Sequence, residues 1–487
     1  MLLTYRRKYL EGEVEMSQKT TDLGRDSVGK LLVKLALPAI IAQIVNVLYN
    51  IVDRMYIGRL PDSNAMAGVG IAFPVIIIVG AFSALLGMGG APLAAIKMGE
   101  NDKDGAEQIM TNSFSMLIIV GAILMGVLLI FQEPILWAFG ASDATINYAK
   151  DYLFIYLLGT IAVQIALGMN SFINTQGFAK IGMCTVMLGA IINIILDPIF
   201  IFGFGMGVKG AALATILAQI ASAIWVVYFF LGKEKQFKNP LLNELMGKKT
   251  ILKIRKEYLK PNMGIVLKIM SLGVSPFIMQ STESLVLISL NNQLLLYGNV
   301  LGEGIGNLAI TSMTIMSSIM QIVNLPMIGL TQGAQPIISF NYGAKQYDRV
   351  KKTFKLLLAS CLTYTGIMWI MIMTIPEVLV RIFNSSPEVM QMTTWSMKIF
   401  FAGLLLMGAQ MGCQQTFLAL GQAKISLFLA LLRKIILLIP LIFILPHFVE
   451  NQLAGVLLAE PVADITAALT TLTCFIIFYK KTFSKDK

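Results

Sequence analysis

Long apolar segments separated by short polar connections follow one another along nearly the whole chain. Each segment is about 20 residues or longer, which is enough to cross a bilayer as a helix. Transmembrane barrel strands would instead be about 10 residues long, with alternating polarity. The pattern therefore predicts an all-α polytopic membrane protein with twelve transmembrane helices, called spans 1 to 12 here, at residues 31–57, 66–97, 108–131, 145–175, 180–203, 208–231, 263–297, 305–341, 351–376, 387–420, 424–446 and 451–479.

The polar connection at residues 232–262 divides the chain nearly in half, and the two halves resemble each other. Short motifs recur at offsets of 244 or 237 positions: Gly89–Pro92 with Gly333–Pro336, Gly177 with Gly421, Lys180 with Lys424, and Gln43 with Gln280. Halves of six helices have the same topology, so an axis along the membrane normal should relate them, as in many transporters. We predict two pseudo-symmetric six-helix lobes, with an N-terminal segment at 1–30, an N-lobe at 31–231, a linker at 232–262, a C-lobe at 263–480 and a tail at 481–487.

Composition and charge agree with this class and predict an orientation. The chain is 56% hydrophobic and 13% charged, whereas soluble proteins carry about 25% charged residues. The net charge of +11 could suit nucleic acid, but Lys and Arg lie in alternate connections, as they do in cytoplasmic loops. We therefore predict that both termini and the linker are cytoplasmic, and that nucleic acid is not a partner. The N-terminus has no signal-peptide pattern.

Asp197 is the only charged residue in the 28 positions between Lys180 and Lys209. A charge at bilayer depth costs roughly 2.5–3.5 kcal/mol on insertion scales and usually faces a bundle interior or a watery cavity. Asn193 lies four positions earlier on the same helix face. Pro198 disfavours α geometry at Asp197, so we expect loosened carbonyls nearby. The group could hold a small cation or a proton, or Asp197 could be a neutral, hydrogen-bonded carboxyl that joins helices.

A polar stripe runs along span 1 at helical spacing, through Gln43, Asn46, Asn50 and Asp53. Asp53 precedes Arg54, so the two could form an ion pair at the membrane interface. The alignment of Asp53 with the amides favours a position that lines a cavity.

Other spans also carry polar and charged side chains at membrane depth. Span 7 repeats the stripe with Gln280 and Glu283, and span 4 carries Gln164, Asn170, Ser171 and Asn174. Arg433 in span 11 could neutralise Glu460 or Asp464 in span 12, or it could contact a substrate or coupling ion. We assign to a substrate cavity Gln43, Asn46, Asn50, Gln164, Asn174, Gln280, Glu283 and Arg433, together with Tyr49.

The residues needed for enzymatic or structural-metal chemistry are scarce. The four cysteines lie in apolar segments without C-x-x-C spacing, and His447 is the single histidine. This composition argues against a zinc site and against general-base catalysis. The glycine-rich run at 203–210 follows no strand and lacks the Walker Lys-Ser/Thr. We predict a non-enzyme without a cofactor, in which uphill transport would use an ion gradient.

The chain resembles the MATE (multidrug and toxic compound extrusion) transporters from about residue 31 to 480, and among them the bacterial MepA-like and DinF-like members. The matching stretches are residues 37–53 in span 1, 193–198 in span 5, 210–215 in span 6 and 335–344 in span 8. The resemblance implies two lobes around a central cavity with alternating access, in the inner (cytoplasmic) membrane of a bacterium.

The resemblance also implies site residues. The DinF-like pattern maps an N-lobe site for H⁺ or Na⁺ onto Asp53, Asn193, Asp197 and Thr215. NorM-like members use acids in spans 7 and 10. Glu283 matches the first of these, whereas span 10 offers no acid but three glutamines, Gln410, Gln414 and Gln415.

The function that the resemblance implies is export of amphipathic, often cationic drug-like compounds in exchange for H⁺ or Na⁺, by a monomer in the lipid bilayer. A flippase for lipid-linked precursors is an alternative that a strongly basic cavity would favour. A membrane sensor or scaffold without transport activity is another, with the linker as the place for a partner.

Overall fold

The computed structural model describes residues 22–232, 250–383 and 386–483, and nearly all of them are helical. The long helices of the first half are Val28–Ile57, Ser63–Gly99, Lys103–Ile130, Ile146–Leu158, Thr160–Thr175, Ala179–Pro198 and Val208–Phe230. Those of the second half are Met263–Leu301, Ile305–Gly343, Tyr347–Thr374, Pro387–Phe400, Leu404–Ala419, Ala423–Leu431, which continues to Ile444 through a π-helical segment, and Gln452–Phe483. Short helices at Gln132–Ala138 and Pro376–Arg381 lie between spans.

The number of membrane-spanning helices agrees with the prediction. Ten helices in the described residues are long and apolar enough to cross a membrane, and two bent pairs bring the number to twelve if each pair counts as one span. The predicted fold class is confirmed. The helix ends lie within five residues of the predicted span ends.

Two spans predicted as single helices are bent, by 59° in span 4 and by 49° in span 10. The bend in span 4 is at Gly159, which faces the side chain of Ile216 in span 6, so a Cβ there would have no room. The neighbouring Thr160 hydroxyl donates to the carbonyl of Leu157 at 2.7 Å. A Gly next to a hydroxyl that binds the backbone is a known cause of helix kinks.

The predicted departure from α geometry at Asp197 itself is wrong. The α-helix continues through Pro198, and the backbone changes only afterwards, in a π-helical turn at Ile199–Gly203. There the N–H of Phe204 donates to the carbonyl of Ile199, five residues back, at 2.9 Å. Pro198 has no N–H to donate, and the widened turn directly after it keeps the chain helical.

The two lobes meet at the end of the molecule where spans 1 and 7 begin, here called the base (residues 28–42, 85–99, 263–276 and 329–343). Small residues let the backbones approach closely there: Gly273 of span 7 lies on the backbone of Leu85 in span 2, and Gly333 of span 8 lies on Ala36 in span 1. The buried residues of span 1 lie between Val28 and Ala42, apart from two near its far end. The lobes therefore close at the base and separate towards the opposite end.

Replacing Gly273 by Val should force spans 2 and 7 apart, because the new side chain meets the backbone of Leu85. Overpacking of this kind costs about 1–3 kcal/mol, so we expect a lower thermal unfolding temperature of the purified protein. Gly70→Val in span 2 is the matched control, since nothing lies within 4 Å of a Cβ added there. Equal unfolding temperatures for the two variants would mean that the backbones are not in contact at Gly273.

Residues 250–262, here called the linker strap, are tied to the N-lobe by buried side chains. The side-chain amide oxygen of Gln176, Oε1, accepts hydrogen bonds from the N–H groups of Ile251 and Leu252 at 2.7 and 2.9 Å. Buried Glu107 accepts from the N–H of Lys253 at 3.1 Å and pairs with the guanidinium of Arg255. The linker strap thus fixes the start of span 7, a C-lobe helix, to spans 3 and 4 of the N-lobe.

The start of span 1 is tied to the opposite lobe in a similar way. The Asn341 amide and the Arg349 guanidinium both donate to the carbonyl of Leu23, each at 2.9 Å. Arg349 also donates to the carbonyl of Asp26 at 2.7 Å. The first helix of each lobe is therefore anchored to the other lobe at the base, so relative motion of the lobes must bend spans 1 and 7 above their anchors.

Removing the Gln176 side chain should release the linker strap. In Gln176→Ala the N–H groups of Ile251 and Leu252 lose their buried acceptor, a loss of about 1–3 kcal/mol. We expect a lower unfolding temperature and faster proteolysis between spans 6 and 7. Gln391→Ala, at an exposed position, should change neither property. Strap cleavage at the rate of the parent protein would contradict the anchoring role.

Some sequence predictions fall on residues outside those described. They concern most of the N-terminal segment (1–21), much of the linker (233–249) and the end of the tail (484–487). The predicted domain boundaries stay a prediction.

Candidate functional site: an N-lobe cavity with an acid pair at its end

A cavity of about 290 Å³ lies among spans 1, 2, 4, 5 and 6, with spans 7 and 8 on one side. The described residues that line it are neutral: small and apolar side chains alternate with amides and hydroxyls. The main polar lining residues are Gln43, Asn46, Tyr49, Asn170, Ser171, Asn174, Asn193, Thr215, Gln219, Gln280, Gln332 and Gln335. A cavity of this composition suits an amphipathic molecule that needs apolar contacts and a few hydrogen bonds.

The structure brings together most of the residues predicted for the cavity. Five of those predicted from spans 1, 4 and 7 line it, namely Gln43, Asn46, Tyr49, Asn174 and Gln280. The amide of Gln43 donates to the amide oxygen of Gln332 at 3.3 Å, which joins spans 1 and 8 across the lobe boundary.

Four residues predicted for the cavity lie elsewhere. Gln164 is fully buried between spans 2 and 4, where it donates to the carbonyl of Val79 at 2.7 Å and accepts from Ser83 at 2.9 Å. The polar side chain of Gln164, which suggested a ligand contact, instead joins spans 2 and 4. The Asn50 amide donates to the carbonyl of Asn46 at 2.6 Å. The other two, Glu283 and Arg433, belong to a C-lobe group of charges described below.

Spans 1, 5 and 6 bring Asp53, Asn193, Asp197 and Thr215 together, a set called the acid cluster here. The Asn193 amide donates to Asp197 Oδ1 at 3.2 Å and to Thr215 Oγ1 at 3.4 Å. The Thr215 hydroxyl donates to the carbonyl of Ala211 at 3.0 Å. The carboxyls of Asp53 and Asp197 interact electrostatically. Because Asn193 and Thr215 also line the cavity, they form the wall between it and the acids.

Three oxygens of the acid cluster are buried without a hydrogen-bond partner among the described residues: Asp53 Oδ1, Asn193 Oδ1 and Asp197 Oδ2. Asp197 is fully buried and Asp53 is only 9% exposed. Unpaired buried oxygens are costly, and two buried carboxyls that interact repel each other when both are ionised. Protons or a small cation bound between them would satisfy both requirements, since carboxylate, amide and hydroxyl oxygens suit either.

The Arg54 guanidinium packs on an aromatic ring and forms no salt bridge with Asp53. Its guanidinium lies 4.7 Å from the centroid of the Phe73 ring in span 2, a cation–π contact. Adjacent residues on a helix point in different directions, so Asp53 turns inward while Arg54 lies on the exposed side. The interfacial ion pair that the sequence allowed is therefore not formed.

Sequence reasoning missed a tyrosine next to the acids. Tyr152 of span 4 is buried, and its hydroxyl lies near Thr215 and Asp53. Its ring stacks on Tyr156 one turn later, with centroids 6.4 Å apart. The spacing of these two tyrosines places them on one helix face, which was a usable signal. Gln219, Gln332 and Gln335 were also missed, because single amides in apolar helices do not show which way they face.

The C-lobe holds a group of five charged side chains within its membrane-spanning helices. Arg433 Nη2 lies 2.7 Å from Asp464 Oδ1 and 3.2 Å from Glu460 Oε1, and all three residues are buried. Lys434 Nζ lies 2.8 Å from Glu283 Oε2. The predicted pairing of Arg433 with the two acids of span 12 is thus present, and Arg433 lies outside the cavity to which it was assigned.

A family model described as MatE matches residues 38–199 and 288–444, which together make up more than half of the chain. Among known proteins, the multidrug export protein MepA of Staphylococcus haemolyticus is 26% identical, over 93% of this chain and 94% of the relative. The protein of the same name from Staphylococcus aureus is 27% identical, over 92% and 93%.

Solved structures share the fold. A crystal structure of MATE in the bent conformation has a TM-score of 0.85 at 22% identity, covering 95% of this chain and 98% of the other. A MOP superfamily transporter from Pyrococcus furiosus has a TM-score of 0.82 at 23% identity, with the same coverage.

Proposed function

Because this chain belongs to the MatE family, we propose that it is a secondary active multidrug exporter that exchanges H⁺ or Na⁺ for amphipathic, often cationic compounds. The MepA relatives over nine-tenths of the chain, named as multidrug export proteins, support this assignment. The observation that carries it is a neutral cavity that shares Asn193 and Thr215 with the acid cluster, in which three buried oxygens have no hydrogen-bond partner among the described residues.

The proposed exchange follows from the wall between cavity and acids. Asn193 and Thr215 line the cavity. On the other side, Asn193 donates to Asp197 and to Thr215. A cationic compound in the cavity and a cation held by Asp53 and Asp197 raise each other's free energy by Coulomb repulsion. Each therefore favours release of the other, which is the coupling that antiport needs.

The membrane potential and the orientation give the direction of transport. Lys and Arg concentrate in the connections at the base, so the base faces the cytoplasm. The described conformation, closed at the base, then opens to the outside. A charge that moves with the potential contributes about 2.3 kcal/mol per 100 mV, and spans 1 and 7 would bend as the site changes its access.

The test uses an efflux-deficient bacterial strain and inverted membrane vesicles across which an H⁺ or Na⁺ gradient is imposed. Expression should lower ethidium accumulation in cells, and vesicles should take up ethidium only with an H⁺ or Na⁺ gradient. Separate gradients identify the coupling ion. Ethidium uptake that persists after both gradients are collapsed would refute ion-coupled export.

A flippase for lipid-linked precursors is less well supported. Its anionic pyrophosphate head would need basic side chains, and no Lys or Arg lies among the described residues that line the cavity. A sensor without transport activity would be eliminated by any ion-coupled flux of ethidium.

A further inference from the structure

The ion pair between Lys434 and Glu283 is unequal in its exposure. The Lys434 side chain is 7% exposed, whereas the Glu283 side chain is 64% exposed. Glu283 lies one turn beyond Gln280 on span 7, and Gln280 lines the cavity. A buried ammonium therefore holds a carboxylate at the edge of the space between the lobes.

The internal repeat relates both residues of this ion pair to residues of the N-lobe. Asn46 corresponds to Glu283 at the offset of 237 that relates Gln43 to Gln280. Ala190 corresponds to Lys434 at the offset of 244 that relates Lys180 to Lys424. Asn46 and Ala190 both line the N-lobe cavity. The pair thus lies at the C-lobe positions that correspond to two residues of the N-lobe cavity lining.

The other three charged residues of the C-lobe group also correspond to residues that line the N-lobe cavity. Gly210 packs on the backbone at Phe200 and Ile201, and Gly455 packs on Leu445 and Pro446, which sets an offset of 245 between spans 6 and 12. At that offset Thr215 corresponds to Glu460 and Gln219 to Asp464, while Gly189 corresponds to Arg433 at 244. All three N-lobe counterparts line the cavity.

We propose that Lys434 is a built-in cation that occupies a monovalent-cation site at Glu283 in the C-lobe, so that this site cannot take H⁺ or Na⁺ from solution. The proposal rests on the proposed function for its role in transport, where it confines ion exchange to the acid cluster. It makes Lys434 a determinant of how many ions accompany each substrate.

Within the part of the chain that the structure describes, Glu283 is the one carboxylate within salt-bridge distance of Lys434. Its neighbour Arg433 is held by Glu460 and Asp464, and a buried ammonium without a partner is strongly unfavourable. Lys434 therefore stays on Glu283, and the tethered ammonium outcompetes free ions because its local concentration is high. Without the ammonium, Glu283 would face the cleft as a carboxylate free to bind a cation.

The test measures cation binding, not transport, and removes the acid cluster first. Purified full-length Asp53→Asn/Asp197→Asn protein is melted in increasing NaCl, with N-methyl-D-glucamine chloride keeping the ionic strength constant. We expect no Na⁺-specific shift in this parent or with Lys434→Arg added. Adding Lys434→Met, or Lys434→Gln if the Met variant does not fold, should produce a saturable rise in Tm of about 2 °C or more.

Two further arms complete the test. Adding Glu283→Gln to the Lys434→Met protein should abolish the rise. Repeating the melts from pH 5 to 8 without Na⁺ distinguishes H⁺ from Na⁺ as the cation taken up. Absence of a saturable, Glu283-dependent effect of either ion in the folded Lys434→Met or Lys434→Gln variant would overturn the proposal. Because ethidium is not used, that failure would leave the exporter assignment untouched, and loss of ethidium export would leave this result untouched.

Discussion

We expect the replacement of Asp197 by Asn to remove most of the gradient-driven ethidium export while leaving a folded protein in the membrane. The amide keeps the shape of the side chain and can still accept from Asn193, but it cannot take up a proton or attract a cation. Losing one ion that moves with the potential removes about 2.3 kcal/mol per 100 mV, which lowers the attainable ethidium gradient roughly fifty-fold.

Controls separate the loss of coupling from the loss of structure. Asp53→Asn should behave like Asp197→Asn, because each carboxyl lies in the field of the other. Asp143→Asn, at an exposed position between spans 3 and 4, should export ethidium like the unmodified protein. Undiminished gradient-driven export by both Asp53→Asn and Asp197→Asn would remove these residues from the coupling site.

Replacing Arg433 by Met should destabilise the protein more than Gly273→Val or Gln176→Ala does. The substitution leaves Glu460 and Asp464 buried with no guanidinium between them. Breaking a buried ion pair by removing one partner costs about 3–5 kcal/mol. We expect a sharp fall in the amount of folded protein and in its unfolding temperature.

Neutral substitution of the partners should reverse this loss. Arg433→Met combined with Glu460→Gln and Asp464→Asn leaves no unpaired charge, so stability should recover most of the way. Arg381→Met, at an exposed position, serves as the control for loss of an arginine alone. A single Arg433→Met variant as stable as this control would mean that the three side chains do not form a buried ion-pair network.

The positions of the spans could be predicted from the sequence because the fit of a helix to the bilayer is a local property of about 20 consecutive residues. The bend at Gly159 was not predictable in this way. It depends on Ile216, a residue of another helix that fills the space beside the glycine. The linker strap escaped prediction for a related reason, since Gln176 binds backbone N–H groups, which carry no side-chain signature.

Prediction of the site succeeded where helical spacing and polarity agreed. Asn193 and Asp197, four residues apart, share a face and a hydrogen bond. Polarity alone was less reliable: Gln164 joins two helices and Arg433 joins two acids, although both were assigned to the cavity. The partner of a buried polar group is set by helix packing, which a single sequence does not reveal.

Cation release on substrate binding tests the central claim most directly, namely that Asp53 and Asp197 hold the ion that the substrate displaces. Ethidium is added to the purified protein in weakly buffered, Na⁺-containing solution, and released H⁺ and Na⁺ are measured against bound ethidium. The protein should release about one cation per ethidium bound, as exchange at one site requires, and the Asp53→Asn/Asp197→Asn variant should bind ethidium without release. Equal release by the variant would place the exchanged ion elsewhere and contradict the claim.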